Sequence, residues 1–358
     1  MKFSICIPNY NYAAFIGRTI ESVLAQSNSK WELVIADNAS TDKSVEVIKG
    51  FEDERIRYKI NNCNVGFAGN LDQVGRMATC DHMIMLSSDD LMRHKALEVY
   101  QQVYEALPDQ EKNSILSSTM DKIDADDKLI GKVSARPILW KPSDIDPQLS
   151  KLTGVNVYKV SAPELLKRSL ETMQNPFNFA ATCYPSKFYQ QLEGYGGGRL
   201  MNPDKWFHWR LLTVADQAIF IEKPLFAYRW HASNQTAQQA ETGALKYQLD
   251  DYRATLEIEN ASLASVGMSR DELVDAFIEY DIARSGLATL AQGQANRARR
   301  ILRFGESVYP QATRKNKKAL ILRTLLALGP AGTKAAKTAY GYLPEGQKTN
   351  PQDTSELR

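Results

Sequence analysis

The stretch that decides the fold is His82-Met83-Ile84-Met85-Leu86, followed by Ser87-Ser88-Asp89-Asp90. The first five residues form an apolar run with the length of one buried strand. The acidic pair follows at once, so both carboxylates stand at the carboxyl end of the predicted strand. Adjacent carboxylates repel each other, and a divalent cation held between them and a phosphate relieves that repulsion. A turn that caps the next helix explains the pair equally well, because aspartate is a common N-cap residue.

The chain before this stretch alternates between strand and helix patterns, four times from Phe3 onward. Such alternation predicts a parallel sheet joined by right-handed crossovers. Ligands of these sheets bind beyond the carboxyl ends of the strands. Polar loops follow the predicted strand ends at Pro8-Asn11, Asp37-Asp42 and Ser87-Asp90. We therefore expect these three loops to converge on one edge of the sheet and to form a ligand site.

Composition and motifs exclude several other classes of protein. The first loop has no glycine before Gly17, which argues against an NAD-binding Rossmann site, and no P-loop motif occurs. The net charge of +2 argues against a nucleic-acid-binding protein. The four cysteines show no metal-type spacing and indicate reduced thiols of a cytoplasmic protein. No signal-peptide pattern or membrane-spanning run is present, so we expect a cytoplasmic protein.

The middle of the chain contains single residues and short runs that are candidates for a catalytic or ligand-binding role. Asp204 opens a predicted helix behind Pro203, where a carboxylate also serves as a helix cap. His231 follows a short predicted strand at Ala218–Ile221, and a lone histidine is more often structural than a ligand. The run Gly194–Gly198 permits positive φ angles and a close approach to a ligand. The acidic run Asp124–Asp127 is typical of an exposed hairpin turn.

The chain becomes helical after Gly243 and strongly basic near its end. Between residues 297 and 337, eleven lysine and arginine residues stand against the single glutamate Glu306. Short apolar helix patterns, Ala319–Leu322 and Thr324–Leu328, lie within this basic segment. Basic flanks around a short apolar helix are typical of an element at a membrane surface. A solvated helix packed on the body, or a contact with another protein, is the alternative. The tail from Pro344 is predicted to be disordered.

Taken together, the motifs resemble those of the inverting family 2 glycosyltransferases. The similar stretches include Ile7–Asn11, Glu21–Gln26, Asp37–Asp42, Asn64–Asn70 and Pro224–His231, and Ser88-Asp89-Asp90 stands where the family has its DXD-type metal motif. The resemblance covers about two thirds of the chain. It implies the α/β GT-A fold, a Rossmann-like nucleotide-binding mixed sheet flanked by helices, here with a helical C-terminal extension. The implied domains are 1–240, divided into a nucleotide-sugar half (1–118) and an acceptor and catalytic half (119–240), then a helical basic region (241–343) and a tail (344–358).

The resemblance also implies a role for individual residues. The nucleotide sugar would be held by Pro8, Asn9, Tyr10, Asp37, Asn70, Ser88 and Asp89. Asp90, Asp89 and His231 would hold Mg²⁺ or Mn²⁺. Asp204 falls where the family has its catalytic base, although many members carry an acidic pair there and this chain has Pro203 before the aspartate.

The implied function is metal-dependent, inverting transfer of a hexosyl or N-acetylhexosaminyl group from a nucleotide-diphosphate sugar, of UDP type. The acceptor would be a saccharide or a lipid-linked saccharide of surface polysaccharide synthesis, such as O-antigen or capsule. The protein would lie peripherally on the inner face of the cytoplasmic membrane and bind no nucleic acid. Two other classes stay open: a nucleotidyltransferase, and a non-catalytic protein that binds nucleotide sugars.

Overall fold

The computed structural model describes residues 1–196, 200, 203–231, 234 and 245–341. Gly197 and Gly198 of the glycine run, most of the predicted loop Ala232–Thr236, and the tail from Pro344 lie outside the described residues. The chain divides into two compact units. The first comprises Met1–Leu166 and Asn175–His231, and the second comprises Lys167–Gln174 and the described part of Ala232–Arg358.

The first unit is built on one mixed sheet. Its strands are β1 (Phe3–Asn9), β2 (Trp31–Asp37), β3 (Ile56–Ile60), β4 (His82–Met85), β5 (Leu91–Met92), β6 (Ser114–Ile123), β7 (Leu129–Val133), β8 (Val157–Ser161), β9 (Cys183–Pro185) and β10 (Gln217–Arg229). They are hydrogen-bonded in the order β3-β2-β1-β4-β9-β6-β10-β5, with β7 paired to β6 and β8 paired to β10. Every residue of β1 and β2 is buried, as expected for strands covered on both faces.

Helices up to residue 212 connect these strands. They are α1 (Ala13–Leu24), α2 (Ser44–Lys49), α3 (Gly66–Met77), α4 (Ala96–Ala106), α5 (Pro147–Thr153), α6 (Ala162–Thr172), α7 (Ser186–Gln191) and α8 (Asp204–Leu212). Helix α1 buries Ile16, Ile20 and Val23 on one face, which is the apolar stripe that its sequence predicts.

Strand direction explains which loops meet. β1 is parallel to β2 and β4, and β2 is parallel to β3. β9 is antiparallel to both of its neighbours, so β6 and its parallel partner β10 again run in the direction of β4. The carboxyl ends of β1, β2, β4 and β10 consequently lie at the same edge of the sheet. Asn9, Asp37, the Ser87–Asp90 loop and Arg229 are therefore brought to one side.

Several local expectations from the sequence were wrong. The predicted strand Ala218–Ile221 is only the first part of β10, which extends through Pro224 with irregular register on either side of it. The short antiparallel strands β5, β7, β8 and β9 were not predicted, because two to five residues show no measurable alternation. Ser186 is the first residue of α7; its hydroxyl donates to the carbonyl of Cys80 at 2.6 Å, and Pro185 holds the cap position.

The second unit is helical throughout its described residues. After part of α6 it contains α9 (Lys246–Glu257), α10 (Asn260–Ser265), α11 (Arg270–Phe277), a π-helical turn (Ile278–Arg284), α12 (Ser285–Ala291), α13 (Ala295–Val308), α14 (Pro310–Lys315), α15 (Lys317–Ala327) and α16 (Pro330–Gly341). An apolar cluster that includes Leu290, Leu302, Leu322 and Leu326 joins the last helices. No helix among the described residues is long and apolar enough to span a membrane.

Candidate active site at the carboxyl edge of the sheet

The ends of β1 and β2 are joined by side chains that the sequence placed at a nucleotide site. Asn9 and Asp37 are paired in register, and Asn9 Nδ2 donates to Asp37 Oδ2 at 2.8 Å. Ser40 donates to both oxygens of the same carboxylate, through its amide to Oδ1 at 2.9 Å and its hydroxyl to Oδ2 at 2.6 Å. The Asp37 carboxylate is thus buried and held at the sheet edge by three donors.

Four asparagines extend this arrangement toward β3 and α3. Asn61 Nδ2 donates to Asn38 Oδ1 and Asn70 Oδ1, both at 3.2 Å. Asn38 Nδ2 donates to Asn64 Oδ1 at 2.9 Å. Asn70 Nδ2 donates to the carbonyls of Ala36, at 2.9 Å, and Asn9, at 3.3 Å. The side-chain amides of Asn64 and Asn70 thus hydrogen-bond to residues at the ends of β1 and β2. These bonds are a structural reason for the similarity of the Asn64–Asn70 stretch to the family motif.

The other residues predicted to hold the nucleotide differ in their exposure. Pro8 is buried in β1, whereas the side chain of Tyr10 is 41% exposed directly after it. Ser88 is buried, and its carbonyl accepts a hydrogen bond from Thr19 Oγ1 of α1 at 2.9 Å. Of these three, Tyr10 therefore offers an aromatic surface on which a base could stack.

The acidic pair at the end of β4 is buried and tied to β10. The amide of Arg229 donates to Asp90 Oδ1 at 2.9 Å, and Arg229 Nε donates to the carbonyl of Asp89 at 2.7 Å. Burial, and then the neighbouring Asp89 carboxylate, raise the pKa of Asp90 well above its usual value, and these effects exceed the opposite influence of Arg229. The two carboxyl groups therefore favour a shared positive partner.

His231 reaches the same pair from just beyond β10. Its Nε2 lies 3.1 Å from Asp89 Oδ2. The imidazole packs at 4.3 Å from the ring centroid of Phe15 and at 5.9 Å, edge-on, from that of Tyr12. Helix α1 and the loop before it thus orient the histidine toward Asp89, and the sequence separation of 142 residues is closed by the parallel placement of β4 and β10.

The donor set of this cluster suits a hard divalent cation. Carboxylate oxygens are the ligands that Mg²⁺ and Mn²⁺ prefer, and an imidazole nitrogen is acceptable to Mn²⁺. Within the described ranges, however, no group of three or more His, Cys, Asp or Glu side chains is gathered closely enough to hold a metal. Asp89 and His231 are in contact, while Asp90 is turned toward the Arg229 amide.

Asp204 is the first residue of α8, directly after Pro203 at the cap position. Its Oδ2 accepts a hydrogen bond from Asn175 Nδ2 at 2.9 Å. His208 Nδ1 lies 2.7 Å from Asn175 Oδ1, one turn further along the helix. Asn175 and His208 are both buried, whereas Asp204 is half-buried. The Asp204 carboxylate is therefore partly accessible to solvent and is hydrogen-bonded to Asn175.

Gly194 and Tyr195, at the described start of the loop before α8, are held by close packing. The Tyr195 ring stacks on Phe207 with centroids 4.0 Å apart, and Arg210 Nη1 donates to the carbonyl of Gly194 at 2.9 Å. Gly194 has a φ of +75°, and a Cβ there would lie 2.5 Å from Asp72 Oδ1. This glycine therefore serves a close approach within the protein. The aromatic residues of α8, Trp206, Phe207 and Trp209, are buried.

Sequence reasoning missed Arg229, Asn175 and the β6–β7 turn as parts of this site. Arg229 stands inside the quoted stretch Pro224–His231, but an arginine in a strand has no pattern that predicts full burial. The turn Asp124–Asp127 was expected to be exposed. It does form the β6–β7 hairpin, yet Asp127 is paired with both Arg18 and Arg229.

Comparison with known proteins gives a family match for the first part of the chain. Residues 4–148 match the family model described as glycosyl transferase family 2. Residues 4–148 thus match a family 2 glycosyltransferase domain. The match includes the loops after β1, β2 and β4 and ends before Asp204 and His231, so these two residues are placed by the structure alone.

Curated relatives and solved structures agree with this domain. An uncharacterized glycosyltransferase of Nostoc is 34% identical over 139 residues, which are 38% of this chain and 42% of that protein. The Escherichia coli protein WfgD, a UDP-Glc:alpha-D-GlcNAc-diphosphoundecaprenol beta-1,3-glucosyltransferase, is 33% identical over 96 residues, 27% of this chain and 38% of that protein. The chain spans about two fifths of the length of the curated relatives it matches.

Staphylococcus aureus TarS 1–349 in complex with UDP-GlcNAc superimposes on 99% of this chain and 91% of its own, with a TM-score of 0.58 at 13% identity. This likeness shows the fold. The expected GT-A architecture, a mixed α/β sheet with flanking helices and a helical C-terminal region, is confirmed.

Proposed function

We propose that this glycosyltransferase moves a hexosyl or N-acetylhexosaminyl group from a nucleotide-diphosphate sugar, of UDP type, to a saccharide or lipid-linked saccharide acceptor. The observation that carries the proposal is the convergence of Asp37, Asp89 and His231 on one sheet edge, in a domain of family 2. The UDP-GlcNAc complex of TarS supports a UDP-type donor, and the name of WfgD supports a lipid-linked acceptor of surface polysaccharide synthesis.

The nucleotide side of the site follows from the buried asparagine and aspartate groups. Tyr10 stacks on the base, and the loop held by Asn9, Asp37 and Ser40 lines the nucleoside pocket with amide and carboxylate groups. Asn70 and its neighbouring amides support the same loop from behind. Ser88 and Asp89, at the end of β4, face the ribose and the diphosphate.

Asp89, Asp90 and His231 would hold Mg²⁺ or Mn²⁺. When bound, such a cation neutralises charge that develops on the departing diphosphate. Burial and the neighbouring Asp89 carboxylate disfavour the anion of Asp90, and a bound cation would offset that repulsion.

Asp204 acts as the general base. Its carboxylate takes the proton of the acceptor hydroxyl while that oxygen forms a bond to the anomeric carbon. The bond from that carbon to the diphosphate oxygen breaks in the same step, and its electron pair leaves with the nucleotide diphosphate. Attack on the face opposite the leaving group inverts the anomeric configuration, and no covalent intermediate with the protein forms.

The experiment is a screen of nucleotide sugars for turnover by the full chain with Mn²⁺, with products identified by mass spectrometry. Asp204→Asn should abolish transfer and leave UDP binding intact, because the base contacts the acceptor and not the nucleotide. Asp90→Ala should remove the dependence of UDP binding on Mn²⁺. Turnover retained by Asp204→Asn would place the base elsewhere, and unchanged metal dependence in Asp90→Ala would refute the metal assignment.

A further inference from the structure

One hydrogen bond to the Asp204 carboxylate comes from a distant part of the chain. The residue before it is Pro203, which has no polar side chain and no amide hydrogen. The hydrogen bond to Oδ2 comes from Asn175, which lies 29 residues earlier and is buried. A buried amide that donates to a half-buried carboxylate stabilises the charged form of that carboxylate and limits its rotation.

The orientation of the Asn175 amide is set by its surroundings. The backbone N–H of Phe177 lies 3.3 Å from Oδ1, and a backbone N–H can only donate, so this atom is the oxygen. The same oxygen lies 2.7 Å from His208 Nδ1, which therefore carries the ring proton and donates it. Asn175 Nδ2 is then turned toward Asp204.

His208 is suited to a fixed role as donor. The ring is fully buried and packs edge-on against Phe177 with centroids 5.5 Å apart. Burial lowers the pKa of His208 to about 3, so the ring stays neutral under physiological conditions. A neutral imidazole with its proton on Nδ1 presents a single donor to Asn175 and does not bring a second charge near the carboxylate.

We propose that Asn175 and His208 are positioning residues for the base: His208 orients the Asn175 amide, and the amide holds the Asp204 carboxylate charged and turned toward the acceptor. This inference rests on the proposed function and deepens it. Among the described residues, the hydrogen bonds of these two side chains go to Asp204, to each other and to the Phe177 amide, and none goes to the acidic pair of β4 or the nucleotide loops. Their effect should therefore appear in the rate of the chemical step and in its pH dependence, with donor binding unaffected.

The test compares three variants of the full chain, using UDP release from the donor selected by the screen and UDP binding with Mn²⁺. Asn175→Ala should lower kcat about ten- to hundredfold, the range for a lost hydrogen bond to a charged group, with KM for the donor unchanged. The acidic limb of its pH–rate profile should move to higher pH, because the carboxylate loses a donor that favours its charged form. Among the described residues, Tyr195 is a further titratable group that interacts electrostatically with Asp204.

His208→Phe keeps the aromatic packing and removes the donor. A smaller loss of kcat with the same shift of the pH profile is expected, since Phe177 still donates to the Asn175 oxygen. Asn178→Ala is the matched control: its side chain comes from the same segment and donates to the carbonyl of Ser118 at 2.8 Å. That variant should keep the wild-type kcat and pH profile.

The possible results separate this inference from the proposed function. A wild-type kcat and pH profile in Asn175→Ala, or a loss equal to that of Asn178→Ala, would overturn the positioning role while Asp204→Asn still tests the base. If Asn175→Ala no longer binds UDP, the variant is misfolded and His208→Phe decides: a wild-type profile there overturns the inference. Full turnover in Asp204→Asn would instead overturn the proposed function.

Discussion

At the scale of single residues, burial of a polar group has a measurable consequence at His82. The imidazole lies in β4 between strands, and in the described residues neither ring nitrogen has a hydrogen-bond partner. Its ring packs edge-on against Tyr104 with centroids 4.5 Å apart. Burial lowers the pKa of His82 to about 4, against the weaker opposite influence of Asp81. The folded protein therefore holds this side chain neutral where the unfolded chain would protonate it.

The free energy of unfolding should consequently depend on pH. The contribution of His82 is fully present above its unfolded pKa near 6.5 and is lost as the pH falls toward 4, because the unfolded state binds the proton first. A pKa difference of this size corresponds to about 3 kcal/mol. Urea denaturation between pH 7 and pH 4 measures the slope. His82→Phe should have a shallower slope, and an equal slope in both proteins would contradict the prediction.

The candidate site shows how much residue types alone can tell. Asp37, Asp89 and Asp90 could be predicted because each follows an apolar strand pattern, and their position at the strand ends follows from alternation. Asn175 could not be predicted, because its role depends on a hydrogen bond to a helix 29 residues away. Its own neighbourhood in the sequence reads only as a mixed aromatic segment.

At the scale of elements, the β6–β7 hairpin is linked to the acidic pair through Arg229. The guanidinium of Arg229 pairs with Asp127 in the turn, and its Nη1 also donates to the carbonyl of Asp124 at 3.2 Å. Arg18 of α1 pairs with the other oxygen of Asp127 at 2.8 Å. Since Arg229 also donates to the Asp89 carbonyl and Asp90 Oδ1, the hairpin helps to position both carboxylates.

Removal of one negative charge from this turn should lower the affinity of the proposed metal site for Mn²⁺. Asp127→Asn weakens the pairing with Arg229, so we expect the affinity for Mn²⁺ in the presence of UDP to fall about three- to tenfold, equivalent to about 1 kcal/mol. Isothermal titration calorimetry measures the change. Asp126→Asn is the matched control: it alters the same charge one residue away, and its side chain joins none of the ion pairs in the described residues. Equal affinities in the two variants would argue against the link.

Short elements were also the hardest to predict. Strand β9 has three residues, yet it lies between β4 and β6 and determines that β6 and β10 run parallel to β4. Three residues carry too little pattern to be recognised as a strand. Helix α15 was predicted as an apolar helix, but which of its faces is packed depends on the neighbouring helices.

At the scale of the whole molecule, positive charge is concentrated in the second unit. Helix α15 buries Ala319, Leu322 and Leu326 in the apolar cluster of that unit. Its opposite face leaves Leu320, Ile321 and Leu328 between 50% and 57% exposed, next to the basic residues of the same segment. Apolar side chains beside lysines and arginines suit an anionic lipid surface. We propose that this face binds the membrane that carries the acceptor.

The prediction is that full-length protein sediments with vesicles containing phosphatidylglycerol, more weakly at high salt, and hardly at all with pure phosphatidylcholine. The triple variant Leu320→Ser, Ile321→Ser, Leu328→Ser should lose most of this binding because it removes the inserted apolar surface. The control is Leu249→Ser with Leu256→Ser, which changes exposed leucines of α9 in the same unit. Undiminished sedimentation of the triple variant would refute the membrane assignment. Truncation is a poorer test, since it would also remove part of the apolar cluster.

The amino-acid pattern alone predicts the alternation of strands and helices, the placement of acidic residues at strand ends and the basic character of the last helices. These features are local, since they depend on the periodicity and chemistry of neighbouring residues. Only the tertiary structure decided that Arg229 and His231 meet the acidic pair, which lies about 140 residues earlier, and that Asn175 supports Asp204. These contacts depend on strand order and direction. Strand β9, which has no recognisable sequence pattern, determines both the order and the direction of the strands beside it. The Ser87–Asp90 turn meets Arg229 and His231 for that reason.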